Sequence, residues 1–471
     1  MNSAVSDLPN TVSEHFSTLN LRAELLTNLL TLGYVNMTLI QAQSLPLMLN
    51  GNDLIAQAKT GSGKTAAFGL ALLNQLRVED FSLQALILCP TRELAEQVAR
   101  ALRQLARSLA NVKILNLSGG MPMKPQQDSL KHGAHVVVGT PGRIQKHLDK
   151  NSLSLNKLQS LILDEADRML DMGFLESMKK IIALCPKKRQ TLLFSATFPK
   201  EIQGLAKEFM QDAKRVVVEE KHTESEIEQL FYEVSKQSNK FPILKTLLLH
   251  YKPTSTLIFC NTKEQTLQLA NLLVKEGFSA IALNGDMEQV ERDLAMIRFI
   301  NQSCSILVAT DVAARGLDIK ELPAVINFDL AFEEDVHTHR VGRTGRAGNK
   351  GLALSLTTAG DAERLCLIET NLARPLNWGT IADLESSTTI IAPPKMVTLC
   401  LFAGRKDKIR NGDILGALTK EAGLEAKAIG KIDITASYSY VAIDKEQVKK
   451  AYQALKNGKL KGRKINLKMV G

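Results

Sequence analysis

Residues Ala58 to Thr65 read Ala-Lys-Thr-Gly-Ser-Gly-Lys-Thr, and their types and order suit the binding of a polyphosphate. Gly61 and Gly63 allow a tight loop whose backbone N–H groups turn toward phosphate oxygens, and the helix expected over Ala66 to Leu76 offers its N-terminus to the same anion. Lys64 is then placed to reach the β and γ phosphates, and the Thr65 hydroxyl to hold magnesium. Ala58 stands where the general pattern G-x-x-x-x-G-K-[ST] has its first glycine. An ordinary glycine turn is the competing reading. Lys-Thr directly after the last glycine, between a strand and a helix, argues against it.

Two further stretches fit the same chemistry. Asp164-Glu165-Ala166-Asp167 follows the apolar strand Leu161 to Leu163, where a second acidic element belongs if it is to meet the metal. Asp164 can hold the hydrated ion and Glu165 can orient and deprotonate an attacking water. An acidic tetrad is also a common solvated helix start, and only its place downstream of a phosphate loop favours the metal role. From His339 to Arg346 the arginines Arg340, Arg343 and Arg346 recur every third residue between glycines. That run fits arginine fingers set by one domain against phosphates on its neighbour, or else a basic surface loop.

The elements that must position these residues alternate. Amphipathic helices are expected over Leu19 to Leu32 and Leu39 to Leu49. Apolar strands are expected over Asp53 to Ala56, Ala85 to Cys89, Val112 to Leu117, Val136 to Gly139, Leu161 to Leu163 and Gln190 to Ser195, with helices over Glu93 to Leu109 and Met178 to Leu184. Such alternation implies a parallel sheet with helices on both faces and a nucleotide at the carboxyl ends of its strands. Glu219 to Glu228 is polar and reads as a linker. The pattern then restarts, with strands over Thr256 to Phe259, Ala280 to Leu283, Ser305 to Ala309 and Ala324 to Phe328 and helices over Glu264 to Glu276 and Glu288 to Ile300. Ser386 to Pro394 is a second linker. Beyond it the order is strand Val397 to Phe402, helix Asp413 to Glu421, strands Ile429 to Ile434 and Tyr438 to Ile443, helix Lys445 to Leu455 and strand Lys464 to Met469, the layout of an RNA-recognition-motif sheet. Tyr438 and Tyr440 alternate onto one face of its third strand, where bases could stack, although tyrosines in strands also serve plain packing.

Charge is divided as sharply as pattern. The chain of 471 residues carries a formal +10, and Lys395 to Gly471 holds 17 Lys and Arg against 7 Asp and Glu, leaving 42 of each sign over residues 1–394. A basic appendage on a neutral body suggests a nucleic-acid partner. With 45% hydrophobic and 23% charged residues the chain is not disordered, and it has no apolar run long enough to span a membrane. Met1 to Asn20 is polar and lacks a signal-peptide h-region, so a cytoplasmic location is expected. The six cysteines, Cys89, Cys185, Cys260, Cys304, Cys366 and Cys400, show no metal or disulfide spacing and are expected as reduced core residues. Nothing demands an oligomer.

Taken together, residues 16 to about 375 resemble the DEAD-box RNA helicases, whose name is the tetrad at 164 to 167. The resemblance implies ATP and Mg2+ as cofactors and RNA as partner. Its adenine-recognising element matches Phe16, Gly33-Tyr34 and Thr38 to Gln41, with Gln41 on the base and Met37 where a proline is usual. Its phosphate loop matches Ala58, Lys59, Thr60, Gly61, Ser62, Gly63, Lys64 and Thr65, and an alanine at the first position is what the family shows. Pro90-Thr91-Arg92-Glu93-Leu94, Gly119-Gly120 and Thr140-Pro141-Gly142-Arg143 match segments that grip an RNA backbone, residue types that suit phosphate contacts without sequence readout. Ser195-Ala196-Thr197 matches the element coupling hydrolysis to strand separation. Thr310, Arg315 and Gly316 are implied on RNA, Asp318 on the ATP ribose, and Arg343 and Arg346 as the arginine fingers. His337 and Thr338 replace an aromatic and an apolar residue of the family pattern.

The implied fold class is α/β: two tandem RecA-like parallel-sheet domains, over 1–219 and 228–375, followed by a small α+β RNA-recognition-motif-like domain over 395–471. The C-terminal part resembles the DbpA-type subgroup through Lys408 to Leu418 and Tyr438 to Ala442. That resemblance implies recognition of a 23S ribosomal RNA hairpin and a role in assembly of the large ribosomal subunit and its precursors, with Lys406, Lys408 and Arg410 foremost and the tail from Lys459 to Lys468 next. The implied cycle closes the two sheet domains on ATP and RNA and separates a short duplex locally. An ATP-gated RNA clamp, a general RNA chaperone and a DNA translocase share most of these motifs.

Overall fold

The computed structural model describes residues 15–58, 61–218, 227–314, 322–345, 351–384 and 391–470. They divide into two compact units that part between residues 218 and 227. The first unit holds one parallel sheet of β1 (Leu54–Gln57), β2 (Ala85–Leu88), β3 (Ile114–Leu117), β4 (Val136–Gly139), β5 (Ser160–Asp164), β6 (Gln190–Ser195) and β7 (Lys214–Val217), in the order β3-β4-β2-β5-β6-β1-β7. Strands β2, β4, β5 and β6 are buried throughout, which is why they read as unbroken apolar runs rather than alternating ones. Apolar clusters on both faces of the sheet pack it between helices. Strand β1 lies between β6 and β7, so the phosphate loop after β1 and the Ser-Ala-Thr segment after β6 leave the sheet side by side.

The second unit holds two sheets. Strands β8 (Ile227–Glu233), β9 (Thr256–Phe259), β10 (Ala280–Leu283), β11 (Ile306–Ala309), β12 (Ala324–Asn327) and β13 (Gly351–Thr357) form a parallel sheet ordered β10-β11-β9-β12-β13-β8. Two of these strands, β8 and β13, carry no periodicity that the sequence analysis picked up, and β8 begins inside the segment expected as linker. Trp378 bridges to Phe231 of β8, so this sheet is extended past residue 375.

The third sheet is antiparallel: β14 (Met396–Leu401), β15 (Ile429–Ile434), β16 (Ser439–Asp444) and β17 (Leu467–Val470), ordered β15-β16-β14-β17. Its core gathers Leu399, Leu401, Ile414, Leu418, Val441, Ile443 and Leu455. The helix expected over Asp413 to Glu421 is in two parts, Asn411–Gly416 and a wider turn Ala417–Glu421. Five cysteines are buried as expected. Cys366 is exposed, on the outer side of the helix Ala362–Leu372. Among the described residues no helix is long and apolar enough to cross a membrane.

Candidate active site

Gly61 and Gly63 both adopt φ of +97°, a region that costs other residues strain, so the loop between β1 and the helix Lys64–Gln75 depends on them. Lys64 is buried, and its Nζ donates to the Ala58 carbonyl at 2.8 Å, across the mouth of the loop. Lys59 and Thr60 lie outside the described residues. The loop is braced from the segment expected to meet the adenine: Thr38 Oγ1 donates to the Ser62 carbonyl at 2.7 Å and Gln41 Nε2 to the Gly63 carbonyl at 3.1 Å. Gln41 Oε1 accepts from the Thr38 amide at 2.9 Å, so each end of this side-chain amide retains one further hydrogen-bonding capacity for a base. Phe16 is buried and meets Tyr34 edge-on, with ring centroids 6.2 Å apart.

The acidic tetrad closes the opposite side. Asp164 ends β5, and Glu165 takes a left-handed conformation, φ +54°, that turns the chain sharply into the helix Ala166–Asp171. Asp167 is consumed structurally. Its Oδ2 accepts from the Ala196 and Thr197 amides, at 3.0 and 2.8 Å, and from Thr197 Oγ1 at 3.1 Å. Burial alone would raise the Asp167 carboxyl, but these bonds and Lys64 hold it below the usual range. Asp164 has the contrary environment. Burial pushes it up to about 7, Lys64 opposes the rise, and Glu165 and Asp167 add to it. Its Oδ1 is buried without a hydrogen-bond partner. A buried oxygen of this kind, within reach of the Lys64 charge, fits a hard cation with oxygen ligands. Glu165 accepts from Arg168 Nη1 at 2.8 Å, which fixes its carboxylate.

A second cluster gathers the segments expected on RNA in the first unit. A β carbon on Gly119 would meet the Arg92 guanidinium at 3.0 Å, so that side chain lies across the glycine pair, and Gly120 has φ +79°. Burial and then the Arg92 charge lower the Arg143 pKa. Arg143 is held by Gln126 Oε1 at 2.8 Å and the Met121 carbonyl at 3.0 Å. Gln126 also donates to the Ser118 carbonyl at 3.1 Å and bonds the buried His147 at 3.0 Å, joining three segments. Thr91 caps the helix Arg92–Leu105, and Thr140, Pro141 and Gly142 open the helix that carries Arg143. Pro90 ends the turn after β2. Gln126 was not legible in sequence: it is one polar residue in a helix, Met123–Lys131, with no buried face.

In the second unit the dominant feature is Arg340. It is fully buried and reaches Asp311 through Nε and Nη2, both at 2.6 Å, the Asp329 carbonyl at 2.6 Å and Asn261 Oδ1 at 3.0 Å, over the Phe259 ring. The arginine run is therefore not uniform. Arg340 holds the domain together at the end of the helix Glu334–Val341, and Arg343 follows, buried, with its amide on the Arg340 carbonyl. Thr310, also buried, follows β11. Arg315, Gly316, Asp318 and Arg346 lie outside the described residues.

Three regions of the chain match family models: residues 38–205 the DEAD/DEAH box helicase domain, 239–348 the helicase conserved C-terminal domain, and 398–469 the DbpA RNA binding domain. The ATP-dependent RNA helicase DbpA of Escherichia coli (strain K12) is 49% identical over 97% of this chain and 99% of its own. The chain belongs to the DEAD-box ATP-dependent RNA helicases of the DbpA type. DbpA of Bacillus subtilis (strain 168) is 36% identical over 96% of this chain and 98% of its own. Saccharomyces cerevisiae Dbp5 bound to RNA and ADP BeF3 superposes with a TM-score of 0.71 at 31% identity, covering 79% of this chain and 97% of that one.

For a DEAD-box helicase, an RNA-dependent ATPase that uses ATP, the pocket around the phosphate loop and the tetrad is the candidate hydrolytic centre. In its C-terminal domain the expected RNA residues are spread over several environments. Lys406 and Lys408 lie on an exposed turn and Arg410 just before the helix Asn411–Gly416. Tyr438, outside β16, is exposed at 41%. Tyr440 is half-buried against Cys400, and burial pushes its hydroxyl up to about 12. The two tyrosines do not form one open platform.

Proposed function

We propose that this RNA-dependent ATPase remodels large-subunit 23S ribosomal RNA and its precursors during ribosome assembly in the cytoplasm, by short local strand separation. The observation that carries the reading is the C-terminal domain, which holds the chain's whole positive excess and matches the DbpA RNA binding domain. Its address would act through effective concentration, bringing the ATPase to one RNA region without entering the chemistry. We assign residues 1–219 and 228–375, the latter widened to take in Ile227 and Trp378, to the two catalytic domains and 395–471 to the address.

The roles follow from charge and placement. Thr65 and Asp164 would hold Mg2+, which supplies neutralisation of phosphate charge when bound. Lys64 and the loop amides orient the phosphates, Gln41 and Phe16 the base, and Asp318 the ribose. Glu165 receives the proton of the attacking water, and Arg343 and Arg346 stabilise charge developing on the transferred phosphoryl group. Arg92, Gly119, Gly120, Thr140 and Arg143, with Thr310, Arg315 and Gly316, hold an RNA backbone.

The deciding experiment measures ATP turnover by the full chain with 23S ribosomal RNA, small-subunit ribosomal RNA and an unrelated RNA. Far stronger stimulation by 23S RNA is expected. Equal stimulation by all three would leave a helicase core without a ribosomal address. Displacement of a short tailed duplex separates an unwinding enzyme from an ATP-gated clamp, and replacing RNA by DNA of equal sequence tests for a DNA translocase.

A further inference from the structure

The helix Met123–Lys131 buries none of its residues, yet polar bonds fasten it to the first unit. Lys113 Nζ donates to the Ser129 carbonyl at 2.8 Å, and the remaining bonds converge on one half-buried side chain, Gln126. Its Nε2 donates to the carbonyl of Ser118, the residue before Gly119-Gly120, and its Oε1 accepts from Arg143 Nη1. Arg143 decides which way this amide faces, because the reversed amide would set an NH2 group against a guanidinium that can only donate. The same Oε1 lies 3.0 Å from Nε2 of His147, one turn after Arg143 on the helix Pro141–Asp149. Nε2 must therefore carry the imidazole proton. Nδ1, 2.9 Å from Ser152 Oγ, accepts from that hydroxyl, which also reaches the His147 carbonyl at 3.1 Å. A neutral ring suits the place: His147 is fully buried, and burial, then the Arg143 charge, lower its pKa.

The chain of bonds runs from the interior outward. A buried histidine gives its proton to a half-buried glutamine, and that glutamine holds the cation beyond it. With the Met121 carbonyl accepting from Nη2 at 3.0 Å, the plane of the Arg143 fork is fixed at two of its nitrogens. A guanidinium on a long side chain has several rotatable bonds, and a fork already held in place loses less freedom when a phosphate meets it. Through the Ser118 carbonyl the same amide also fixes the entry to the Gly119-Gly120 turn, where Gly120 has φ +79°.

We propose that Gln126, oriented by His147, is a positioning residue for RNA binding: it sets Arg143 and the Gly119-Gly120 turn as one phosphate-holding unit before RNA arrives. This rests on the RNA-backbone role given above to Arg143, Gly119 and Gly120. A neutral side chain then governs a charged contact that it does not itself make.

The test uses the full chain and fluorescein-labelled oligo(A), a probe held by sequence-independent contacts. Binding is read by anisotropy with a non-hydrolysable ATP analogue over a range of salt, and activity by RNA-stimulated ATP turnover. Gln126→Leu keeps the volume and removes the amide. It is expected to raise the half-saturating RNA concentration on the order of tenfold and to reduce the slope of log affinity against log salt by about one, although no charge is removed. Turnover at saturating RNA should stay within about twofold of the parent. Arg143→Ala should lower affinity and slope in the same way, and in its background Gln126→Leu should add less than about twofold. His147→Leu should follow Gln126→Leu, whereas His147→Gln, whose amide can replace the Nε2 donor, should restore most of the affinity. Weaker binding with an unchanged salt slope, additive losses in the double variant, or a fall in turnover at saturating RNA would show a merely structural role and overturn the proposal. If Arg143→Ala weakens binding and Gln126→Leu does not, the positioning role falls and the RNA-backbone reading of Arg143 stands. If Arg143→Ala changes neither affinity nor slope, that reading falls and takes the positioning role with it.

Discussion

Asp167 in the first unit and Arg340 in the second are both buried charges, and each adjoins a residue assigned to chemistry. Their solutions differ. Asp167 is satisfied almost wholly by neutral donors, the amides of Arg168, Ala196 and Thr197 and the Thr197 hydroxyl. Arg340 instead faces an opposite charge, the bidentate Asp311, with carbonyl oxygens filling the rest of its fork. In the first case the anion ties the tetrad to the Ser-Ala-Thr segment and leaves Asp164 with a bare oxygen for a ligand. In the second the cation ties three segments of one domain and positions the chain just before Arg343. A buried charge neutralised by dipoles tolerates loss of that charge better than one neutralised by a countercharge.

The largest effect should come from the residue that Asp167 helps to position. Glu165→Gln keeps volume and the contact with Arg168 but removes the proposed proton acceptor. Turnover of saturating ATP and RNA should fall by roughly 10²–10⁴, with RNA affinity kept, as measured by single-turnover hydrolysis and RNA anisotropy. Retained turnover would move the general base elsewhere.

Asp311→Ala tests the other half of the comparison. It leaves the Arg340 guanidinium buried without its countercharge and should destabilise the second unit by about 3–5 kcal/mol, read by urea unfolding. Replacing Arg340→Met and Asp311→Leu together should recover most of that stability while ATP turnover stays low, because Arg343 loses its anchor. Asp167→Asn removes the charge and one acceptor: its oxygen can still face the Ala196 and Thr197 donors, while its NH2 loses the bond from the Arg168 amide. Its cost should be smaller, about 1–3 kcal/mol. Equal costs for Asp167→Asn and Asp311→Ala would show that the two hubs do not differ as their partners suggest.

The sequence displays these hubs unequally. Strands such as Val136–Gly139, Gln190–Ser195 and Thr256–Phe259 have the limits expected, because a strand buried on both faces is an uninterrupted apolar run. Strand Lys214–Val217 and strand Ile227–Glu233, at sheet edges, carry charges or amides and show no such run. The phosphate loop and the tetrad were legible because glycine, lysine and carboxylates at those spacings have few other uses. Roles that depend on which way a side chain turns were not. Three arginines at equal spacing give no sign that Arg340 faces inward, and Gln126 has no pattern around it. Tyr438 and Tyr440 alternate as a stacking pair would, yet Tyr440 is half-buried against Cys400 while Tyr438 is exposed.

His337 gives the smallest and most specific test, because it lies one turn before Arg340 on the same helix. Its ring is buried with neither nitrogen bonded and stacks on Phe231 at 6.0 Å, so it serves as the aromatic residue it replaces. Burial, and then the Arg340 charge, lower its pKa to about 4 from an ordinary 6.5. Between those values the unfolded chain binds a proton that the folded chain refuses, so stability is lost as pH falls from 6.5 toward 4 and is unaffected above 7. At pH 5.5 the loss should be about 1 kcal/mol. His337→Phe removes the titrating group and keeps the stack. The variant should match the parent at pH 7.5 and exceed it at pH 5.5 by that margin in urea unfolding. A parallel decline of both proteins with acid would place the sensitivity elsewhere, as in Asp167, which is held below its ordinary value and loses its contribution only as pH falls through the carboxylate range.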